Sequence, residues 1–388
     1  MLMQALDAEV AEYIERHQEA RDDDGHALVV RNGRARKRRV TLGCGTVEVE
    51  APRVNDKRVV NGERSRFTSE LLPPYMRRSP KVNEVLPVLY LRGLSTGDFE
   101  PALKSLLGDK ASGLSATTIS RLTSEWKSEY EAFHKRAIRD EFVYVWVDGV
   151  HFNIRLEDDR LCTLVVIGVR KDGTKCVLTV EDGYRESKES WLFALRGLAS
   201  RGLKAPMLAI GDGALGFWAA ARELWPETKQ QLCWVHKLKN VLDKLPRRLQ
   251  ARAKSLLHEV MNAETREQAE EACETFRQGF EAKYPKSVAS LIENQKRLLT
   301  FFDFPAEHWE HIRSANPIES AFATLRLRQR VTKGAGSRSK ALWMAYKLLD
   351  MASLRWRRVN SPELVARVLL GEKFVDGLAE TKDVGNAA

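Results

Sequence analysis

The spacing of apolar residues changes several times along the chain, and each change predicts a different kind of element. Residues 1–20 carry apolar positions at helical spacing between Asp7, Glu9, Glu12 and Glu15, which predicts an acidic amphipathic helix. In VTLGCGTVEVEAPRV (40–54), Val47, Val49 and Ala51 alternate with polar residues, the pattern of a small β-hairpin. From 81 to 136 the period returns to that of a helix, through Val82, Val85, Leu86, Val88 and Leu89. Arg92-Gly93 stops that helix, Ser95 and Asp98 form a capping-box pattern for a second that Gly108 ends, and Ser115 caps a third. The last presents Thr117, Thr118, Ser120 and Arg121, so the segment reads either as a helix-turn-helix DNA reader or as an ordinary three-helix bundle.

At Phe142 the pattern becomes that of strands buried on both faces: FVYVWVD (142–148), then LCTLVVIGV (161–169) and KCVLTV (175–180), joined through Lys171-Asp172-Gly173. A helix over 189–202, a strand in APMLAIGDG (205–213), a helix over 215–225 and a strand in QQLCWV (230–235) follow. Three consecutive strands followed by alternating helix and strand predict an α/β fold with a ribonuclease-H-like mixed sheet. Residues 237–310 are helical and charged with no strand signal, an all-helical insertion, and the region ahead of the sheet is mostly helical. The expected organisation is a helix and basic hairpin over 1–66, a helical DNA-binding domain over 67–138 and the first part of the core over 139–236. The insertion over 237–310, the end of the core over 311–360 and a tail over 361–388 complete it.

Composition and charge narrow the class. The 388 residues are 43% hydrophobic and 30% charged, the balance of a globular protein. No apolar run approaches the roughly 18–20 residues of a membrane span, and the acidic start is unlike a signal peptide. Five scattered cysteines (44, 162, 176, 233, 273) argue for a reducing compartment, so the expected location is the cytoplasm. Against 53 acidic residues stand 63 Lys+Arg, a net +10. The surplus is local. Between Ser320 and Arg358, Arg326, Arg328, Arg330, Lys333, Arg338, Lys340, Lys347, Arg355, Arg357 and Arg358 face only Asp350, giving +9, and Arg31, Arg34, Arg36, Lys37, Arg38 and Arg39 form a second cluster with no acid among it. Both read as phosphate-contacting segments or as solvated basic faces.

Two acids stand out. Asp-Gly is a turn signal that occurs six times here, yet Asp148 and Asp212 each close a buried strand, whereas Asp172 is explained by its hairpin and Asp182 by strand exit. Glu319 follows Asn316-Pro317, where proline suits the first turn of a helix, and Asn316 is its expected cap or a DNA contact. If the three carboxylates converge, their repulsion requires divalent cations, and oxygen donors select Mg²⁺ or Mn²⁺. Two such ions support phosphodiester displacement.

SANPIESAFATLRLRQRVTKGAGSRSKA (314–341), with VWVDG (145–149), AIGDGALGFW (209–218), CWVHKLKNVLDKLP (233–246), RESKESWLFALRGLASRGL (185–203) and FPAEHW (304–309), resembles the Mutator-like bacterial insertion-sequence transposases of the DDE class. The resemblance runs from about residue 65 to 358. It implies a ribonuclease-H-like catalytic domain interrupted by a helical insertion, and Asp148, Asp212 and Glu319 as the metal-binding triad. The family's basic residue seven positions after the glutamate is Arg326 here, about two helical turns on and so on the same face. Cys233-x-x-His236 matches a family signature, read as a structural or DNA-positioning pair because two further zinc ligands are lacking. Trp309 is either core or a stacking platform for a distorted terminal base, and His151 a strand residue or a support to Asp148.

The resulting expectation is a DNA transposase that binds double-stranded DNA, both terminal inverted repeats and target, as a homodimer or higher oligomer. Arg36, Lys37, Arg38, Thr118, Arg121, Arg326, Arg328, Arg330, Lys333, Arg338 and Lys340 are the expected DNA contacts. The rival is a DNA-binding repressor, or a degenerate transposase kept only for binding.

Overall fold

The computed structural model describes residues 1–43, 45–82, 85, 89, 101, 104, 116–154, 160–183, 185–213, 216–332, 335 and 337–380, with backbone alone for 116–123 and 331–332. The chain divides into two compact units, Met1–Leu122 and Thr123–Ala388.

In the first unit, helix α1 (Leu2–Arg16) buries Leu6 and Val10. The predicted hairpin forms from β2 (Arg38–Leu42) and β3 (Gly45–Val49). Leu6, Val40, Val49 and Leu72 make a small core with Leu2, Met3 and Val47 packed around it. Two strand pairs that periodicity does not reveal accompany it: β1 (Val29–Arg34) against β4 (Pro52–Asp56), and β5 (Val59–Val60) against β6 (Glu63–Arg64). In β1 only Val29 is buried, so no alternation marks it in sequence. Of the predicted helix-turn-helix, the stops and caps at 92–115 lie outside the described residues, as do the side chains of Thr118 and Arg121.

The second unit is a mixed α/β layer structure. Helix α2 (Ala116–Lys135) leads to β7 (Phe142–Phe152), β8 (Leu161–Arg170) and β9 (Lys175–Gly183), which run as an antiparallel meander. Helix α3 (Lys188–Ser200), β10 (Leu208–Gly211), α4 (Phe217–Leu224) and β11 (Lys229–Leu232) follow. The sheet order is β11-β10-β7-β8-β9, with β10 parallel to both β7 and β11. Val143 through Val147 are fully buried, and side chains of this size gain about 1.5–3 kcal/mol each on burial. Gly173 turns the β8–β9 hairpin at φ 78, with Asp172 Oδ1 accepting the Thr174 N–H at 2.9 Å.

Two boundaries differ from the sequence reading. Strand β7 does not end at Asp148 but runs on to Phe152, because β8 continues to pair with it as far as Leu161. The QQLCWV strand stops at Leu232, since Cys233 already caps helix α5 (Trp234–Leu242) and Trp234 is buried with its indole N–H on the Leu298 carbonyl. Helices α6 (Arg247–Asn262), α7 (Arg266–Phe280), α8 (Pro285–Ile292) and the short α9 (Gln295–Leu298) continue the helical stretch. After α10 (Trp309–Ile312), α11 (Asn316–Thr332) packs on β7, and α12 (Arg338–Ser353) packs on β8 and β9. Helix α13 (Pro362–Leu369) is followed by a short antiparallel pair, β12 (Phe374–Val375) and β13 (Leu378–Ala379). Among the described residues no helix is long and apolar enough to cross a membrane.

Candidate active site

The sheet register carries the first two acids to one place. Strand β10 lies parallel to β7 with Leu208 level with Tyr144 and Ile210 level with Trp146. Two residues further along both chains stand Asp212 and Asp148, on neighbouring strands that a sheet spaces about 4.8 Å apart. Asp148 is thus the first acid beyond the point where β7 stops pairing with β10, although β7 itself continues. Each aspartate accepts the N–H of the glycine that follows it, Gly149 at 2.8 Å and Gly213 at 2.5 Å, so neither Asp-Gly here serves as a hairpin.

Glu319 reaches this end of the sheet through a clasp at the start of α5. The Trp234 N–H donates to the Arg313 carbonyl at 3.0 Å, and the Cys233 sulfur accepts the Ala315 N–H at 3.1 Å. These bonds hold residues 313–315 against α5, and α11 starts immediately afterwards. One turn into α5, His236 Nδ1 lies 3.6 Å from Glu319 Oε1. Cys233-x-x-His236 therefore spans the clasp and the carboxylate: the sulfur positions the backbone ahead of α11 and the imidazole faces Glu319. The ligand-capable atoms of Cys233, His236 and Glu319 all lie within 4.8 Å of one another. Asn316 is not the side-chain cap it was expected to be: the helix already includes it, and its N–H goes to the Ser314 hydroxyl at 3.4 Å.

Electrostatics mark the same place. Burial first, and then the charges of Glu186 and Glu319, push the Asp148 carboxyl up to about 7. His236 is pushed up to about 9, by the adjacent Cys233 sulfur and then by the Asp212 and Glu319 carboxylates. Glu319 Oε1 and His236 Nδ1 are both buried without a hydrogen bond of normal geometry. A buried carboxylate oxygen with no donor, beside an Asp148 carboxyl raised by burial and by neighbouring acids, fits a set of oxygen donors for divalent cations.

Glu186 was not singled out from sequence. It precedes Ser187, the cap of α3, and its carboxylate lies against Gly149. The available signal was the glycine of Asp148-Gly149, which serves close approach of the Glu186 carboxylate.

Other expected residues are distributed differently. Arg326 and Arg330 on α11 and Lys340 on α12 are exposed, with the Arg326 guanidinium 5.9 Å from the Phe322 ring centre. Arg328 is corrected: it is only 1% exposed, because it sits on the face of α11 that packs inward. Arg338 pairs with Asp182 at 2.8 Å. Lys333 lies outside the described residues. In the first unit Arg36 is exposed, Lys37 is 3.5 Å from Glu50, and Arg38 donates to the Leu72 and Pro73 carbonyls. Trp309 is half-buried, packs edge-on against Phe301 and Phe302 and donates to the Phe304 carbonyl at 2.9 Å. His151 is an exposed strand residue opposite Cys162.

The second unit is thus a mixed α/β structure with carboxylates near one end of its sheet and exposed arginines further along α11. The sequence profile described as "Transposase, Mutator family" matches residues 1–357. The chain is 53% identical over 297 residues, 76% of its length and 92% of the relative's, to the transposase for insertion sequence element IS6120 of Mycolicibacterium smegmatis. It is 47% identical over 288 residues, 72% of its length and 95% of the relative's, to the transposase for insertion sequence element IST2 of Acidithiobacillus ferrooxidans. The corresponding transposase of IS905 from Lactococcus lactis is 31% identical over 291 residues, 75% of this chain and 71% of the relative. The protein belongs to the Mutator family of transposases.

Proposed function

We propose that the protein is a DDE-type transposase in which Asp148, Asp212 and Glu319 hold two divalent cations, Mg²⁺ or Mn²⁺, at the end of a ribonuclease-H-like sheet. The strand order, with an antiparallel meander extended on one side by two strands parallel to its first, supports that reading of the sheet. The single observation that carries the site is the register that levels Asp212 with Asp148, beside a Glu319 whose Oε1 lacks a donor. When bound, the cations make a water or hydroxyl oxygen nucleophilic and neutralise charge on the leaving oxygen.

The chain's own residues do the rest. Exposed Arg326 and Arg330, two and three turns beyond Glu319 on α11, hold the DNA backbone over the carboxylates. The clasp at Cys233 and Trp234 fixes the approach of Glu319. Segment 67–138 recognises the terminal inverted repeats. Hydrolysis at the element's end forms a bond from water oxygen to phosphorus and breaks the bond to the 3′ oxygen, freeing a 3′-hydroxyl. That hydroxyl then attacks a target phosphodiester, forming the new strand and releasing the target's own 3′ oxygen. Both ends must be paired, so the working form is a homodimer or higher assembly on double-stranded DNA in the bacterial cytoplasm.

The test is an end-cleavage and joining assay on a DNA fragment carrying the repeats that flank the gene. Asp148→Asn, Asp212→Asn and Glu319→Gln each lower cleavage and joining by three or more orders of magnitude while binding to the same fragment persists. Normal joining by all three would overturn the mechanism, and cutting of ends without joining of pre-cut ends would make the protein a nuclease.

A further inference from the structure

Glu186 is set into the carboxylate cluster by two glycines. A Cβ on Gly149 would lie 2.1 Å from Glu186 Oε1 and 2.8 Å from its Cδ, so the carboxylate occupies the volume any other residue would need. At the other end, the Glu186 carbonyl accepts the Gly216 N–H at 3.0 Å. A Cβ on Gly216 would come within 2.5 Å of the backbone of Ser187 and Lys188. Gly149 follows Asp148 directly, and Gly216 lies four positions after Asp212, so each glycine belongs to the turn or strand that presents an aspartate. Only hydrogen occupies the side-chain position at both, and that lets the β9–α3 connection approach Asp148 and Asp212 together.

The charges agree with this placement. Glu186 acts on Asp148, and Asp212, His151 and His236 act on Glu186. One Glu186 oxygen also lies within 4.8 Å of the His151 nitrogen and the Cys162 sulfur. A structural side chain in this position would be neutral, since a fourth anion beside three others raises their mutual repulsion. Four carboxylates match the charge of two divalent cations.

We propose that Glu186 is a fourth carboxylate of the cation site, holding a divalent ion together with Asp148 and Asp212, with Gly149 and Gly216 as the clearances that seat it. This rests on the cation-binding reading given above. The oxygen donor chemistry is that of Mg²⁺ and Mn²⁺.

The test uses the full-length protein without DNA and Mn²⁺ as the probe, with free Mn²⁺ followed by electron paramagnetic resonance and melting followed by circular dichroism. In Glu186→Gln the Mn²⁺ affinity falls about 10- to 100-fold, the range typical of lost metal-site support. The metal-free Tm of the same variant rises, because a like charge is removed, and the rise in Tm on adding Mn²⁺ shrinks. Gly149→Ala lowers Mn²⁺ affinity in the same way without changing any charge. Wild-type affinity in Glu186→Gln, alongside a loss in Asp148→Asn, overturns the Glu186 assignment alone, and an additional fall in metal-free Tm would make Glu186 a structural residue. Wild-type affinity in both variants overturns the cation reading beneath it.

Discussion

Single residues in this protein are best understood by what they leave unsatisfied or exclude. His308 is fully buried, and Tyr144 OH lies 2.7 Å from its Nδ1 while Nε2 is 3.3 Å from the Ser361 carbonyl. Only one tautomer serves both: Nε2–H donates to the carbonyl, and Nδ1 accepts from the tyrosine. Burial holds the imidazole below its ordinary 6.5. Because the folded state resists protonation, its contribution is complete above pH 6.5 and is lost as the pH falls through the lowered value. The urea midpoint of the wild type therefore drops between pH 7.5 and 5, and the drop is smaller in His308→Gln. Tyr144→Phe, which strands Nδ1, costs about 1–3 kcal/mol at pH 7.5 by urea denaturation. None of this was legible in the sequence, where a lone histidine 164 positions from its tyrosine carries no pattern.

At the scale of elements the sequence was read well where burial was two-sided and badly where chemistry overrode propensity. The runs beginning at Phe142, Leu161 and Lys175 mark where β7, β8 and β9 start. The apolar run 142–148 places a strand end at Asp148, yet the ladder with β8 carries β7 past it. Cys233-Trp234-Val235 has strand composition but opens a helix, since the buried indole needs the Leu298 carbonyl. The two-sided burial that marks β7 and β10 in sequence suits adjacent central strands, while the clasp that delivers Glu319 depends on bonds across about eighty residues that no local pattern encodes. The meander also depends on close packing. At Gly168 a Cβ would lie 2.6 Å from both Leu178 and Phe142. Gly168→Ala is expected to destabilise the second unit by about 1–3 kcal/mol, the cost of overpacking a filled core, measured by the urea midpoint at constant m-value.

Across the whole molecule, charge behaves differently from its sequence count. The cluster at 31–39 has no acid within it, but the fold supplies them: Arg31 and Arg34 pair with Asp7, Lys37 with Glu50 and Arg39 with Glu48. These pairs are largely exposed, so they add little stability, yet they reduce the positive charge offered to a polyanion. In the later stretch Arg328 is buried, Arg338 meets Asp182 and Lys347 meets Glu129. What remains at the surface includes Arg326, Arg330, Lys340, Arg355, Arg357 and Arg358. Each phosphate-contacting cation among them contributes about one unit to the dependence of log affinity on log salt. Arg326→Ala should lower that slope by about 1 in a binding titration across salt concentrations. Arg328→Ala should leave the slope unchanged and reduce the thermal midpoint.

Helix α5 begins the long helical stretch, and its first residues also grip the segment from which Glu319 emerges. The two ends of an excursion whose clasping residues lie 82 positions apart are thus tied together at its base. Any displacement of α5 would therefore be felt, through two bonds, by the residues immediately ahead of α11.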